Sequence, residues 1–161
     1  MDIHRLVQQF LLLEGASVGI GPKHPITPNS PSASEVEVFL NDYSFLRRDQ
    51  GYVDFLESYA GGHLTPSDHR LGIDIFGFDN QSSHIINLEG AIVDEQGFLT
   101  ICDGYIHILE NKSTNVKPLS FAFDASGKRR WGIYYPTEER WYCESFMAWF
   151  ELLVTRKGRL L

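Results

Sequence analysis

The sequence has few of the features that define membrane-bound, disulfide-rich or nucleic-acid-binding proteins. It contains only two cysteines, and no apolar run approaches the roughly 18 residues of a membrane span. Basic residues are outnumbered, since 14 Lys and Arg against 21 Asp and Glu give a net charge of −7. This charge repels phosphate backbones and anionic membranes. We therefore expect no nucleic-acid partner, no membrane partner and, because the polar start of the chain differs from a secretory signal, a cytoplasmic location.

What the sequence does contain is enough apolar material for one packed domain. Of its 161 residues, 43% are hydrophobic and 13% aromatic, so a core needs no metal or disulfide. Apolar residues at helical spacing predict a first helix over residues 3–11, with Asp2 as its N-cap and Gly15 as its stop. Four prolines then indicate an extended loop at 19–33, and we interpret residues 1–161 as a single domain.

Three further helices are predicted from spacing and capping residues. One opens at Ser34, where Glu37 follows three positions later as a capping box requires. The next covers residues 52–60, and we expect Gly61 and Gly62 to terminate it. The last helix follows Glu144 and ends near Gly158, with its apolar residues again at helical spacing (Phe146, Trp149, Phe150, Leu153 and Val154).

Between residues 71 and 143 the apolar period changes from 3.6 to 2, which is typical of strands. Asp103-Gly104 between two such runs is a strong hairpin signal. The turns between runs are short, and consecutive strands joined by short turns pair antiparallel. The predicted fold is α+β: a mostly antiparallel sheet of about five to six strands, flanked by N-terminal helices and one C-terminal helix. Five strands are assigned to residues 98–102, 105–109, 119–123, 131–135 and 141–143, and residues 85–88 and 91–93 are earlier strand candidates.

Catalytic and metal-binding patterns are weak. The densest group of suitable residues, His63, Asp68, His69 and Asp74, has no zinc-type spacing and reads as a solvated loop. A nucleophilic Cys143 with His107 as its base is disfavoured, because Glu144 beside it would raise the pKa of the thiol. We therefore predict no enzyme, no metal and no cofactor. A small cysteine- or metal-dependent hydrolase is the less favoured alternative.

Acidic residues outside the helices are the candidate partner-binding residues. Most of these residues fall at predicted turns or strand ends, where a solvated acidic side chain is common. Together they would form a negative surface. Such a surface attracts a basic protein. The residues are Asp68, Asp74, Asp79, Glu89, Asp94, Glu95 and Asp103.

A stretch from Tyr52 to Gly62 resembles the Tyr-x-x-Phe-Leu-x-x-Tyr-x-Gly-Gly signature of the SUKH superfamily. The final Ser-Phe-x-x-Trp-Phe helix is similar to the end of that family's domain, and the resemblance covers residues 34–154. One departure is Asp49-Gln50-Gly51, where the family usually has Leu-Pro. The residues that carry the resemblance are scaffold positions rather than binding positions: Tyr52, Phe55, Leu56, Tyr59, Gly61, Gly62, Phe146, Trp149 and Phe150.

The SUKH superfamily includes fungal cell-wall-assembly regulators and many bacterial toxin-immunity proteins. The resemblance therefore implies a non-enzymatic module that binds and neutralises a toxin domain, and the negative charge favours a basic toxin. The alternative is an intracellular regulatory or scaffold domain of the same fold, with the proline-rich loop at 19–33 as its docking element.

Overall fold

The computed structural model describes residues 2–20, 33–65, 71–75, 97–108, 112–114, 121–124 and 131–159. In these residues the chain forms an α+β fold with four helices and an open antiparallel sheet, as the sequence predicts. The helices are α1 (Ile3–Leu11), α2 (Ala33–Asp42), α3 (Gln50–Ser58) and α4 (Phe146–Thr155). The strands are β1 (Ala16–Ile20), β2 (Tyr59–Leu64), β3 (Leu71–Ile75), β4 (Phe98–Ile108), β5 (Lys112–Thr114), β6 (Phe121–Asp124), β7 (Ile133–Tyr135) and β8 (Arg140–Cys143).

The sheet follows the order β1-β2-β3-β4-β6-β7-β8, and β5 pairs with the end of β4. Every pairing is antiparallel. The strand count exceeds the predicted five to six, and β1, β2, β3 and β5 lie outside the predicted strand ranges. The predicted strands at 85–88 and 91–93 lie outside the described residues.

All four helices contribute to one continuous hydrophobic core against one face of the sheet. In α1, the side chain of Asp2 caps the helix by accepting the Arg5 amide at 2.9 Å. The helix ends at Leu11, four residues before the expected stop at Gly15. Aromatic rings join the first and last helices, with the Phe10 and Phe150 ring centroids 5.4 Å apart. The scaffold side chains singled out in α3 and α4 are fully buried: Tyr52, Phe55, Leu56, Phe146, Trp149 and Phe150.

The predicted helix stop at Gly61 and Gly62 is wrong. Helix α3 ends at Ser58, because Tyr59 adopts extended backbone angles and pairs with Ile20 of β1. Register advances by two residues on β1, from Val18 to Ile20, while it advances by three on β2, which is a β-bulge. Gly61 has φ +90° at this bulge, so it serves the strand rather than a helix terminus.

The two glycines should differ in their tolerance of alanine. We expect Gly61→Ala to lower the free energy of unfolding by about 1–2 kcal/mol, because φ +90° strains an L residue. Gly62→Ala should cost less than about 0.5 kcal/mol, since its new Cβ would lie 3.4 Å or more from every neighbour. Urea unfolding of both variants measures the contrast. Equal losses would contradict the bulge.

The predicted hairpin at Asp103-Gly104 is also wrong. Strand β4 continues through both residues, because Asp103 pairs with Asp74 and Gly104 pairs with Ile73 on β3. Long-range pairing with a neighbouring strand therefore overrides the local turn preference of Asp-Gly. The loop predicted at 19–33 is shorter at both ends, since residues 19 and 20 belong to β1 and residue 33 begins α2; residues 21–32 lie outside the described residues.

Candidate functional site on the polar face of the sheet

The face of β1–β3 turned away from the hydrophobic core carries polar side chains. Leu64, Ile73 and Ile75 join the core cluster. Their neighbours along the strands alternate to the other face, as the pleat of a sheet requires. Register places Ser17 of β1 opposite His63 of β2, and His63 opposite Asp74 of β3. We call Ser17, His63, Thr65 and Asp74 the polar face.

His63 is the centre of this face and contacts a carboxylate and a hydroxyl at the same time. Its Nδ1 lies within hydrogen-bond distance of Asp74 Oδ1, and its Nε2 lies within hydrogen-bond distance of Thr65 Oγ1. The His63 and Asp74 side chains are 20% and 19% exposed, so the group is accessible from solvent without being fully solvated. The two contacts fix the plane of the imidazole. Ser17, His63 and Asp74 then lie side by side across β1, β2 and β3.

Two of the seven candidate acidic residues are brought together. Asp74 and Asp103 occupy directly opposed positions on β3 and β4. Residues in such positions on neighbouring strands have Cβ atoms about 5 Å apart, and like charges there repel. The other five candidates, Asp68, Asp79, Glu89, Asp94 and Glu95, lie outside the described residues, as does His69.

His63 does not lie in a solvated loop as predicted. It belongs to β2 because β1 and β3 pair with it on both sides. The signal in the sequence was His-x-Thr, two residues that share one face of a strand. The pattern is informative only if residues 59–64 form a strand. The helical spacing of apolar residues in α3 continues to Tyr59 and therefore favours a helix there instead. Among the described residues, no group of three His, Cys, Asp or Glu side chains is arranged to hold a metal ion.

The cysteines do not form the arrangement considered for a thiol nucleophile. Cys143 lies on β8, whereas His107 belongs to β4, with β6 and β7 between them. The pKa of the Cys143 thiol is raised to about 12, mainly by burial and to a smaller extent by Asp49 and Glu144, while its hydrogen bond to the Ser145 carbonyl acts in the opposite direction. The predicted upward shift is thus confirmed, although burial is a larger cause than Glu144. Cys102 is buried in β4.

A second polar group lies where the N-termini of α3 and α4 meet. Asp49 is 4% exposed, and its carboxylate accepts the amide of Tyr52 at 3.1 Å and the amide of Phe146 at 2.8 Å. A cleft of about 240 Å³ opens beside it, and the Arg48 guanidinium lies 5.1 Å from the Trp131 ring centre at its wall. Because the Asp49 carboxylate caps both helices, we assign this junction a structural role.

Comparison with protein-family models, curated proteins and solved structures finds no match to this chain. No helix in the described part of the chain has the length and apolar character needed to cross a membrane.

Proposed function

We propose that this protein is a protein-binding module, specifically a cytoplasmic immunity protein that binds and neutralises a basic toxin domain. The observation that carries the proposal is the opposed position of Asp74 and Asp103 in the sheet. Carboxylates at opposed positions of neighbouring strands are unfavourable for each other, and a lysine or arginine from a partner would be attracted to such a pair. The net charge of −7 favours the same kind of partner over longer range.

The two electrostatic contributions act at different stages of binding. The overall negative charge speeds diffusional encounter with a positive surface, and salt screens this effect. A cation placed between the two aspartates would instead slow dissociation, because separating it from them leaves like charges opposed. An interface of ordinary size, about 1,600 Å² in total, is sufficient for such a complex.

The test is direct binding between this protein and the toxin domain encoded beside its gene, at low and at high salt. We expect Asp103→Lys to weaken binding about 30-fold, equivalent to about 2 kcal/mol, and to reduce the salt dependence. Asp103 is preferred to Asp74 for this substitution because Asp74 also holds His63. Calorimetry or surface plasmon resonance gives the affinities.

The matched control is Glu151→Lys, which makes the same charge change on an exposed position of α4. We expect it to change affinity less than about 3-fold, because it alters only the long-range charge. Equal weakening by both variants would show that net charge alone matters. Binding that does not respond to salt, or the absence of binding to any adjacent toxin domain, would overturn the proposal.

A further inference from the structure

We propose that Thr65 is an activated nucleophile that accepts acyl groups from reactive esters, with His63 as its general base and Asp74 as the positioning residue. This inference goes beyond the proposed binding function and does not rest on it. The three side chains are connected in series, carboxylate to imidazole to hydroxyl. Such a series is the arrangement by which a weak hydroxyl nucleophile is activated in proteins of unrelated fold.

The role of each group follows from which ring nitrogen it contacts. A carboxylate can only accept a hydrogen bond, so Nδ1 of His63 carries the proton and donates it to Asp74. In that tautomer Nε2 has a lone pair and accepts the Thr65 hydroxyl proton. Asp74 thereby selects the tautomer in which His63 is able to act as a base toward Thr65.

The backbone holds these groups in place. His63 and Thr65 are two residues apart and share one face of the chain, and β3 supplies Asp74 directly across from His63. The Thr65 amide donates to the Gly15 carbonyl at 3.0 Å, which fixes the residue just beyond the end of β2. Thr65 and its two partners are partly exposed, so the three side chains are in contact with solvent.

The reaction needs only the ester and water. Oγ1 of Thr65 attacks the ester carbonyl carbon while its proton moves to Nε2 of His63. The bond from that carbon to the leaving oxygen then breaks, and the leaving group takes the proton from His63. Water then attacks the carbonyl carbon of the acyl-threonine while one of its protons moves to Nε2 of His63. The bond from that carbon to Oγ1 breaks, Oγ1 takes the proton from His63, and the acid is released.

The expected rate is modest. The Thr65 amide is already used by Gly15, so it does not serve as a donor to a developing oxyanion. Activation then comes from general-base catalysis, which is worth about 10²–10⁴-fold. Substrates are therefore expected to be activated esters with good leaving groups rather than amides.

The test uses p-nitrophenyl acetate and the full chain. We expect acetylation at Thr65, located by peptide mass spectrometry, and a rate about 100-fold lower in His63→Gln. Thr65→Val removes the hydroxyl and should abolish the adduct, whereas Thr65→Ser should keep it. The control is His4→Gln, because the His4 Nδ1 also contacts a hydroxyl, that of Tyr59 at 2.9 Å, and its loss should leave the rate unchanged.

Asp74 is tested through the imidazole itself. We expect Asp74→Asn to lower the acetylation rate about 10-fold or more and to shift the ring-nitrogen NMR signals of His63 toward the other tautomer. Thermal unfolding of each variant identifies any that fails to fold. If Asp74→Asn or Thr65→Val does not fold, the test is the comparison of Thr65→Ser, which should be acetylated, with His63→Gln, which should react about 100-fold more slowly.

Acetylation elsewhere in the chain only, or equal Thr65 acetylation in His63→Gln and in the unsubstituted protein, would overturn the inference. Such results would mean that the three side chains are a structural cross-strand cluster. The binding proposal is tested by different variants and a different measurement, so either proposal can fail while the other holds.

Discussion

Replacing Asp49 with alanine is expected to lower the free energy of unfolding by about 4 kcal/mol, a large share of a small domain's stability. One carboxylate accepts the first-turn amides of two helices, Tyr52 in α3 and Phe146 in α4, and both hydrogen bonds are buried. Alanine leaves both amides without that acceptor, and each loss costs about 1–3 kcal/mol. Urea unfolding followed by circular dichroism measures the change.

Ser145→Ala is the matched control, because the Ser145 hydroxyl caps α4 alone through the Ala148 amide at 3.1 Å. It should cost about 1 kcal/mol. If Asp49→Ala costs no more than Ser145→Ala, then the carboxylate does not join the two helices energetically.

The ionisation of Asp49 gives the same site a signed pH dependence. Burial raises its pKa above the usual value near 3.8, and this outweighs the two amide hydrogen bonds that lower it. A raised pKa means that the folded state binds this proton more tightly than the unfolded state does. The part of the stability that is linked to this proton is therefore fully present below about pH 3.8 and is lost as pH rises through the folded-state pKa, whereas the two amide hydrogen bonds remain. Since asparagine does not titrate, the gap between Asp49→Asn and the unsubstituted protein should be widest in acid, and a constant gap would contradict this.

Gly15→Ala is expected to lower the free energy of unfolding by about 3 kcal/mol or more. Gly15 has φ +75°, which already strains an L residue by about 1–2 kcal/mol. A Cβ at this position would also lie 2.1 Å from the Thr65 carbonyl oxygen and 2.7 Å from its carbonyl carbon. The obstacle is backbone, so no side-chain rotation relieves it.

Gly62→Ala on the neighbouring strand is the control, because it adds a methyl group at ordinary contact distance. The two variants are compared by thermal and urea unfolding. Gly15→Ala should also change the amide signal of Thr65 in NMR, because the Thr65 amide donates to the Gly15 carbonyl. A loss below about 1 kcal/mol would show that the chain moves apart there at little cost.

Sequence patterns predict the helices well because the apolar residues of each helix face lie three or four positions apart in the sequence. The stripe Val36, Phe39 and Leu40 is buried in α2, and the Ser145 cap precedes α4. Strands were harder where partners lie far along the chain. Residues 59–64 have no alternating pattern and contain two glycines, yet they become β2 because β1 and β3 supply partners on both sides.

Sequence patterns predict only part of the candidate site. Asp74 and Asp103 are recognisable as acidic residues near strands, but their opposed position depends on β4 continuing through Asp103-Gly104. The group at His63 depends on the register between β2 and β3, which neither strand encodes by itself. Register is set by long-range pairing, so side chains that meet across strands are the part of a site that local patterns describe least.

The bond from Asp49 to the Phe146 amide spans 97 positions of the chain and has a consequence for synthesis. At about 5–20 residues per second, a ribosome needs roughly 5–20 s to travel that far. During this interval the nascent α1 and α3 have been made but their partner α4 has not, and Phe10 and Phe55 have no Phe150 to cover them. Until α4 has been synthesised, the nascent chain therefore lacks the native cover for these aromatic rings, and exposed apolar surface of this kind is prone to aggregation.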